Sequence, residues 1–259
     1  MIAALKSEFR KLFSVRSTYT LLLVALILEI IFAFYGDGIK AAPEALKNTG
    51  YLAGEIINAA QAISIFVALA GVLLIANEYR HNTIMYTLTS SNSRTRVLLA
   101  KTVCVSVFAV VFTIILGFLS PVFTALGLHA GGHQYVEQSI PIWSSLWRIA
   151  FYGWGFAMFG LIAAFIVRNQ IGAIVTLFAL PTTIEPLIGH LFKTAGHYFP
   201  FTLLGQVLQP LFAAEQQAGP KGAGPHDLLS YGHAALLYLI YVAVGGLVAW
   251  ILFIRRDAN

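Results

Sequence analysis

Charge is what this 259-residue chain has least of: 10% of its residues are charged and 58% are hydrophobic. A water-soluble domain usually carries about 25% charge. A mean hydropathy of +0.79 leaves too little polar surface to face water, so the composition reads as a polytopic membrane protein before any segment is drawn. Cysteine is nearly absent. Cys104 stands alone, which excludes an intrachain disulfide and a multi-cysteine metal site and leaves a small core residue. The motifs of common chemistries are missing too: there is no G-x-x-x-x-G-K-[ST] phosphate loop, no H-E-x-x-H and no G-x-S-x-G. "GPKGAGPH" has glycines and a lysine without the phosphate-loop spacing. His129 and His133 would suit a metal only on a helix, and the two glycines between them argue against one. A membrane-embedded enzyme needs polar groups clustered at one depth. Glu29, Glu185 and scattered histidines make no such cluster. The net charge of +5 does not point to nucleic acid, because the basic residues flank apolar runs instead of forming a patch with interleaved aromatics. No cleavable leader is expected, since the first sixteen residues are amphipathic and the first apolar run ends in "FYGDGIK".

What is abundant is apolar sequence in long runs. A helix crosses the hydrocarbon core with about 20 residues. Six runs meet that length, over 17–36, 59–77, 95–128, 148–167, 171–191 and 234–254. The expected fold is therefore an all-α integral membrane protein of six transmembrane helices, one permease-sized domain over 1–259. The third run exceeds one crossing and contains Pro121, so tilt, a kink or an overhang is expected. Pro181 and Pro186 interrupt the fifth. Eleven basic residues lie on the segments outside one end of the spans: Lys6, Arg10, Lys11, Arg16, Arg80, Arg94, Arg96, Lys101, Arg168, Arg255 and Arg256. Five lie at the other: Lys40, Lys47, Arg148, Lys193 and Lys221. That asymmetry places both termini in the cytoplasm of a multi-pass protein of the cell's inner or plasma membrane.

Two amphipathic pieces are too short to cross. "IAALKSEFRKLFSV" puts Leu5, Phe9, Leu12 and Phe13 on one stripe, with Lys6, Glu8, Arg10 and Lys11 assigned to the other side. Residues 1–16 are expected to form a helix in the cytoplasmic interface; a plain extension of the first span is the alternative. In the outer segment 192–233, "FPFTLLGQVLQPLFAAEQ" gathers Phe201, Leu204, Val207, Leu208, Leu211 and Phe212 near one face, which suits an interfacial or re-entrant helix. The following "QQAGPKGAGPHD" reads as a loop.

Between the second and third runs, segment 78–94 carries "EYRHNTIMYTLTSSNSR". Thr83 to Leu88 reads as a short helix capped by Asn82, and Asn92 or Ser93 caps the next span. Ile84, Met85, Tyr86 and Leu88 are poor residues to leave in water and call for a partner or the lipid interface. This stretch, through "RVLLAK", resembles the cytoplasmic segment between the second and third spans of type-2 ATP-binding cassette (ABC) transporter permeases. "SEFRKLFSVRSTYTLLL" looks like their N-terminus, and "LPTTIEPLIGH" with "YFPFTLLGQ" looks like their fifth span and outer segment. Asn82 stands where a glycine is frequent in that family, and asparagine tolerates similar turn geometry.

The resemblance implies an exporter whose permease forms the path while a separate ATPase supplies energy. It makes Thr83 to Leu88 a coupling helix seated in a cleft of that ATPase. Glu78, Arg80 and Arg94 then serve as rim contacts with Glu8 nearby, topology control being the plainer reading of the basic ones. It implies two permeases, two ATPases and a two-fold axis, with ATP and Mg bound by the partner and no cofactor in this chain. A path with few fixed charges suits an amphipathic or hydrophobic cargo, such as a peptide, drug or lipid. Glu29, near mid-depth of the first span, lines the path or is structural; Glu185 belongs to an outer gate or to the interface. Phe66 and Phe178 are gate candidates. The alternative is an ion-coupled secondary transporter or channel using Glu29 and Glu185, which should show inverted repeats or paired intramembrane ions. Neither is evident.

Overall fold

The computed structural model describes residues 2–43, 46, 51–81, 83, 84, 86, 94–134, 142–192, 196–208 and 229–255. Helix α1 (Ile2–Ser14) is followed by α2 (Arg16–Ile30), which continues as a π-helical segment, Ile31–Ile39. Then come α3 (Tyr51–Arg80), α4 (Arg94–Ala130) and α5 (Ile142–Val167). Helix α6 (Gln170–Ala179) passes through a second π-helical segment, Leu180–Ile184, into α7 (Glu185–Leu191). Helices α8 (Pro200–Leu208) and α9 (Tyr231–Arg255) complete the described chain. Among the described residues six helices are long and apolar enough to cross a membrane: Arg16–Ile39, Gly54–Arg80, Arg94–Ala130, Ser145–Val167, Gln170–Leu191 and Tyr231–Arg255. No strand occurs among the described residues.

Spans two and four are largely buried inside the chain, whereas spans one, five and six bury little of their surface. The centre is α3, packed on α5 and α4. Small residues allow that packing. A Cβ on Gly160 of α5 would lie 2.7 Å from the Ala68 carbonyl oxygen of α3. Likewise the π segment of span one crosses α4 at Gly38 and Gly127, where a Cβ on Gly38 would lie 2.6 Å from the Gly127 Cα. Helix backbones approach this closely only where side chains are missing.

Three expectations resolve at this level. Helix α4 runs unbroken through Pro121 over 37 residues. At 1.5 Å per residue that is roughly 55 Å, so it overhangs the hydrocarbon core. Helix α1 is a separate element, because Val15 breaks the chain in an extended conformation before α2. Helix α8 is buried on nearly every side, Gln206 included, and packs between α9 and α5. It is thus inserted into the bundle; Leu211, Phe212 and the Gly/Pro-rich loop lie outside the described residues.

The end of the bundle holding α1, the start of α4 and the end of α9 carries Arg80, Arg94, Arg168 and Arg255. We call it the basic end. The four-to-five connection there is very short. Arg168 takes a left-handed conformation, φ 54°. Asn169 then caps α6, its side-chain oxygen accepting from the amides of Ile171 (2.9 Å) and Gly172 (3.2 Å).

Candidate functional site

At the basic end four charges from three elements converge. The Lys101 ammonium of α4 donates to Glu8 of α1 at 2.7 Å and to Glu78 of α3 at 2.8 Å. Lys11 donates to the same two carboxylates, at 2.9 Å and 2.7 Å. Lys101 is fully buried, and Glu8 and Glu78 nearly so. Two cations and two anions cancel, which is how charge survives in such a place. Burial works to lower the Lys11 pKa, but its bonds to Glu78 and Glu8 outweigh that and hold it above the ordinary amine value.

This geometry corrects the placement of several residues. Glu8 sits three residues after Leu5 and four before Leu12, so it shares their inward stripe and does not face water. Its carboxylate and that of Glu78 turn into the chain, not toward an external rim. Ile84 is likewise buried in the hydrophobic core, so it anchors the segment to its own bundle. Tyr86, two residues on, is 77% exposed. Met85, Leu88 and the caps Asn82, Asn92 and Ser93 lie outside the described residues. The Thr83 amide donates to the Glu78 carbonyl at 2.9 Å, so the segment starts directly from the charge cluster.

The arginines close the same end. Arg94 donates to the Ile254 carbonyl at 3.0 Å and Arg168 to the Leu252 carbonyl at 3.2 Å. Both guanidinium groups thereby satisfy carbonyls in the last turn of α9, where a cation also suits the helix dipole. Arg80 is exposed and reaches Gln170 at 3.4 Å. Beside these groups, a cavity of about 460 Å³ opens between α1, the start of α2, the end of α3, and Thr83 with Tyr86. Its walls are mostly apolar, with Leu12, Val15 and Leu74 inside and Thr83 and Tyr86 at the segment.

The membrane carboxylates separate into different environments. Glu185 is buried, and both of its oxygens serve α8. The Phe201 amide donates to them at 3.0 and 3.1 Å, and the Thr202 amide at 3.1 Å. Pro200 opens α8, and the preceding Phe199 has no side-chain acceptor, so a glutamate from another helix does the work of an N-cap. We expect Glu185→Ala to lower stability by about 1–2 kcal/mol, with Glu185→Gln milder because it keeps one acceptor. Thermal midpoints of the purified variants check this order, and equal midpoints for both would refute the capping role.

Glu29 is buried against Ser120 of α4. Asp37 and Glu55, which no sequence motif marks, lie in its neighbourhood. Tyr51 donates to the Asp37 carbonyl at 2.6 Å, and burial with the charges of Glu55 and Asp37 pushes its phenol up to about 12. Glu29 and Glu185 therefore have different partners and do not share a site. Phe66 is half-buried against the core, and Phe178 is exposed at the side of α6. His133 contacts the Ile39 carbonyl at 2.9 Å.

An all-helical bundle with six such spans is a multi-pass membrane protein. Which one follows from the sequence pattern of the ABC-2 family transporter protein family, which matches residues 39–255. The chain belongs to that family. It is the membrane subunit of an ABC transporter, of a kind that lacks the nucleotide-binding domain and works with an ABC ATPase. No curated protein matches the chain.

Proposed function

We propose that this chain is the permease of an ATP-driven exporter in the cell membrane, and that Tyr86 with Thr83 and Arg80 contacts the ATPase. The carrying observation is the split of the segment after α3: Ile84 is buried in the core while Tyr86 stands 77% exposed beside the 460 Å³ cavity. A buried anchor next to a projecting aromatic is how a short segment presents a rigid knob to a partner. The excess of basic residues supports a cytosolic position for this end. Sparse burial of spans one, five and six leaves room for a second copy, so two permeases and two ATPases form the assembly. The partner binds ATP and Mg. The few fixed charges along the spans favour an amphipathic or hydrophobic cargo.

Tyr86→Asp tests the contact. The permease is co-expressed with a candidate ABC ATPase and the complex is purified through a tag on the permease. The variant should bind at least about 30-fold more weakly, with its own melting temperature unchanged. Undiminished assembly would remove Tyr86 from the interface. Transport by the purified chain on an ion gradient without an ATPase would favour a secondary transporter instead.

A further inference from the structure

At the end of the bundle opposite the basic end, Arg148 of α5 is an anomaly. It is only 7% exposed. Its Nε and Nη1 are buried and have no hydrogen-bond partner. Among the described residues no carboxylate pairs with it; the ion pairs found there all belong to the Glu8–Lys101 cluster. What surrounds the guanidinium is aromatic: its carbon lies 5.4 Å from the Trp147 ring centre and 4.7 Å from that of Tyr231. Ring faces attract a cation, but they accept no N–H bonds in the plane of the fork. Among the described residues nothing supplies this buried arginine with an anion.

Its location indicates which anion. Tyr231 is the first residue of the 25-residue α9, so the guanidinium packs on a ring carried by that helix's opening turn. The first amides of a helix have no intrahelical acceptor, and this terminus carries the positive end of the dipole. The Ser230 hydroxyl just ahead of α9 pairs with His233 Nδ1 at 2.7 Å. Arg148 and Tyr231 also mark a membrane boundary, because the spans begin at Ser145 and Tyr231. Trp143, Trp147 and Tyr231 are exposed at that level, as in an interfacial aromatic belt. In that layer the abundant anion is the phosphate of a phospholipid headgroup.

We propose that Arg148, packed against the adjacent rings of Trp147 and Tyr231 where α9 begins, is a binding site for a phospholipid phosphate between spans four and six. Guanidinium offers phosphate a planar set of donors, and the two neighbouring rings pack against it from one side. The headgroup phosphate accepts from Arg148 and from the opening turn of α9, while its acyl chains lie along the exposed flank of that helix. Annular lipid thus becomes a structural partner that pins span six to span four. Neither the ATPase contact nor the identity of the cargo enters this argument.

The test uses the full chain in maltoside detergent, which contains no phosphate. Melting is followed after adding phosphatidylcholine, or diacylglycerol with the same acyl chains, or inorganic phosphate. Phosphatidylcholine should raise the midpoint of the natural protein by about 5 °C, and diacylglycerol should not. Arg148→Met and Arg148→Gln should both lose the rise. Without lipid, Arg148→Met should melt no lower than the natural protein, because it removes an unpaired buried charge. An equal rise with diacylglycerol, or a full phosphatidylcholine effect in both variants, would overturn the site. An equal rise with inorganic phosphate alone would overturn the assignment to lipid. The arms on the natural protein remain decisive if either variant fails to fold.

Discussion

Lys101→Met should lower the melting temperature of the purified chain by about 10 °C or prevent its accumulation altogether. Removing one partner of a buried ion pair typically costs about 3–5 kcal/mol, and a chain of this size loses roughly 2–4 °C per kcal/mol. The reason lies in what remains. Glu8 and Glu78 are nearly buried, and without Lys101 they share only Lys11. Adding Glu8→Gln to Lys101→Met restores the balance of one acid and one base, so the double variant should recover much of the loss. A single variant that melts like the natural protein would show that the four charges do not hold α1 to the bundle. The same cluster sets an alkaline limit. Lys11 binds its proton more tightly when folded than at its ordinary value of 10.5. Its stabilising contribution is full below that value and disappears as pH rises through the raised one. Lys11→Met should therefore flatten the alkaline loss of stability.

Gly127→Leu is the second large effect. At the crossing of span one with α4, a Cβ on Gly127 would run into the Phe34 carbonyl oxygen and come within 2.8 Å of the Gly38 Cα. These neighbours are backbone atoms of the π segment, so no rotamer change relieves the contact. Only separation of the helices does, and that also withdraws Glu29 from Ser120 and disturbs Tyr51 on Asp37. We expect a loss above about 3 kcal/mol, read as failure to recover monodisperse protein. Gly36→Ala, in the same segment with nothing within 4 Å of its would-be Cβ, is the control and should cost under about 1 kcal/mol. Equal behaviour of the two variants would show that the crossing does not require the missing side chains.

Both effects follow from a division visible in the transport subunit as a whole. Spans two to four form a fixed centre, cemented by small residues at close crossings. Around it, short polar devices attach the peripheral pieces: the four-charge cluster attaches α1, Glu185 attaches α8, and Arg94 with Arg168 attaches the end of α9. The segment proposed to meet the ATPase begins at Glu78, inside the first of these devices. A push on Tyr86 would reach α1 and α4 through Glu78 and Lys101, since buried charge pairs resist being parted.

The sequence by itself determined the class, the six crossings and the segment that differs from them. Those depend on the count of consecutive apolar residues and on which flanks are basic, quantities a linear chain carries openly. The separate α1 was legible too, from the amphipathic stripe of residues 1–16, although the break itself falls at Val15. Tertiary structure alone decided where the charges point. Glu8 reads as a surface residue by its type although its spacing from Leu5 and Leu12 puts it on the inward stripe, and what balances its charge there is Lys101, ninety-three positions away. Glu185 becomes a cap only because α8 begins beside it, and Arg148, among the described residues, meets the ring of Tyr231 and no carboxylate. Periodicity fixes the face a side chain occupies, but the fate of a charge is set by its partner across space, and no local pattern names that partner.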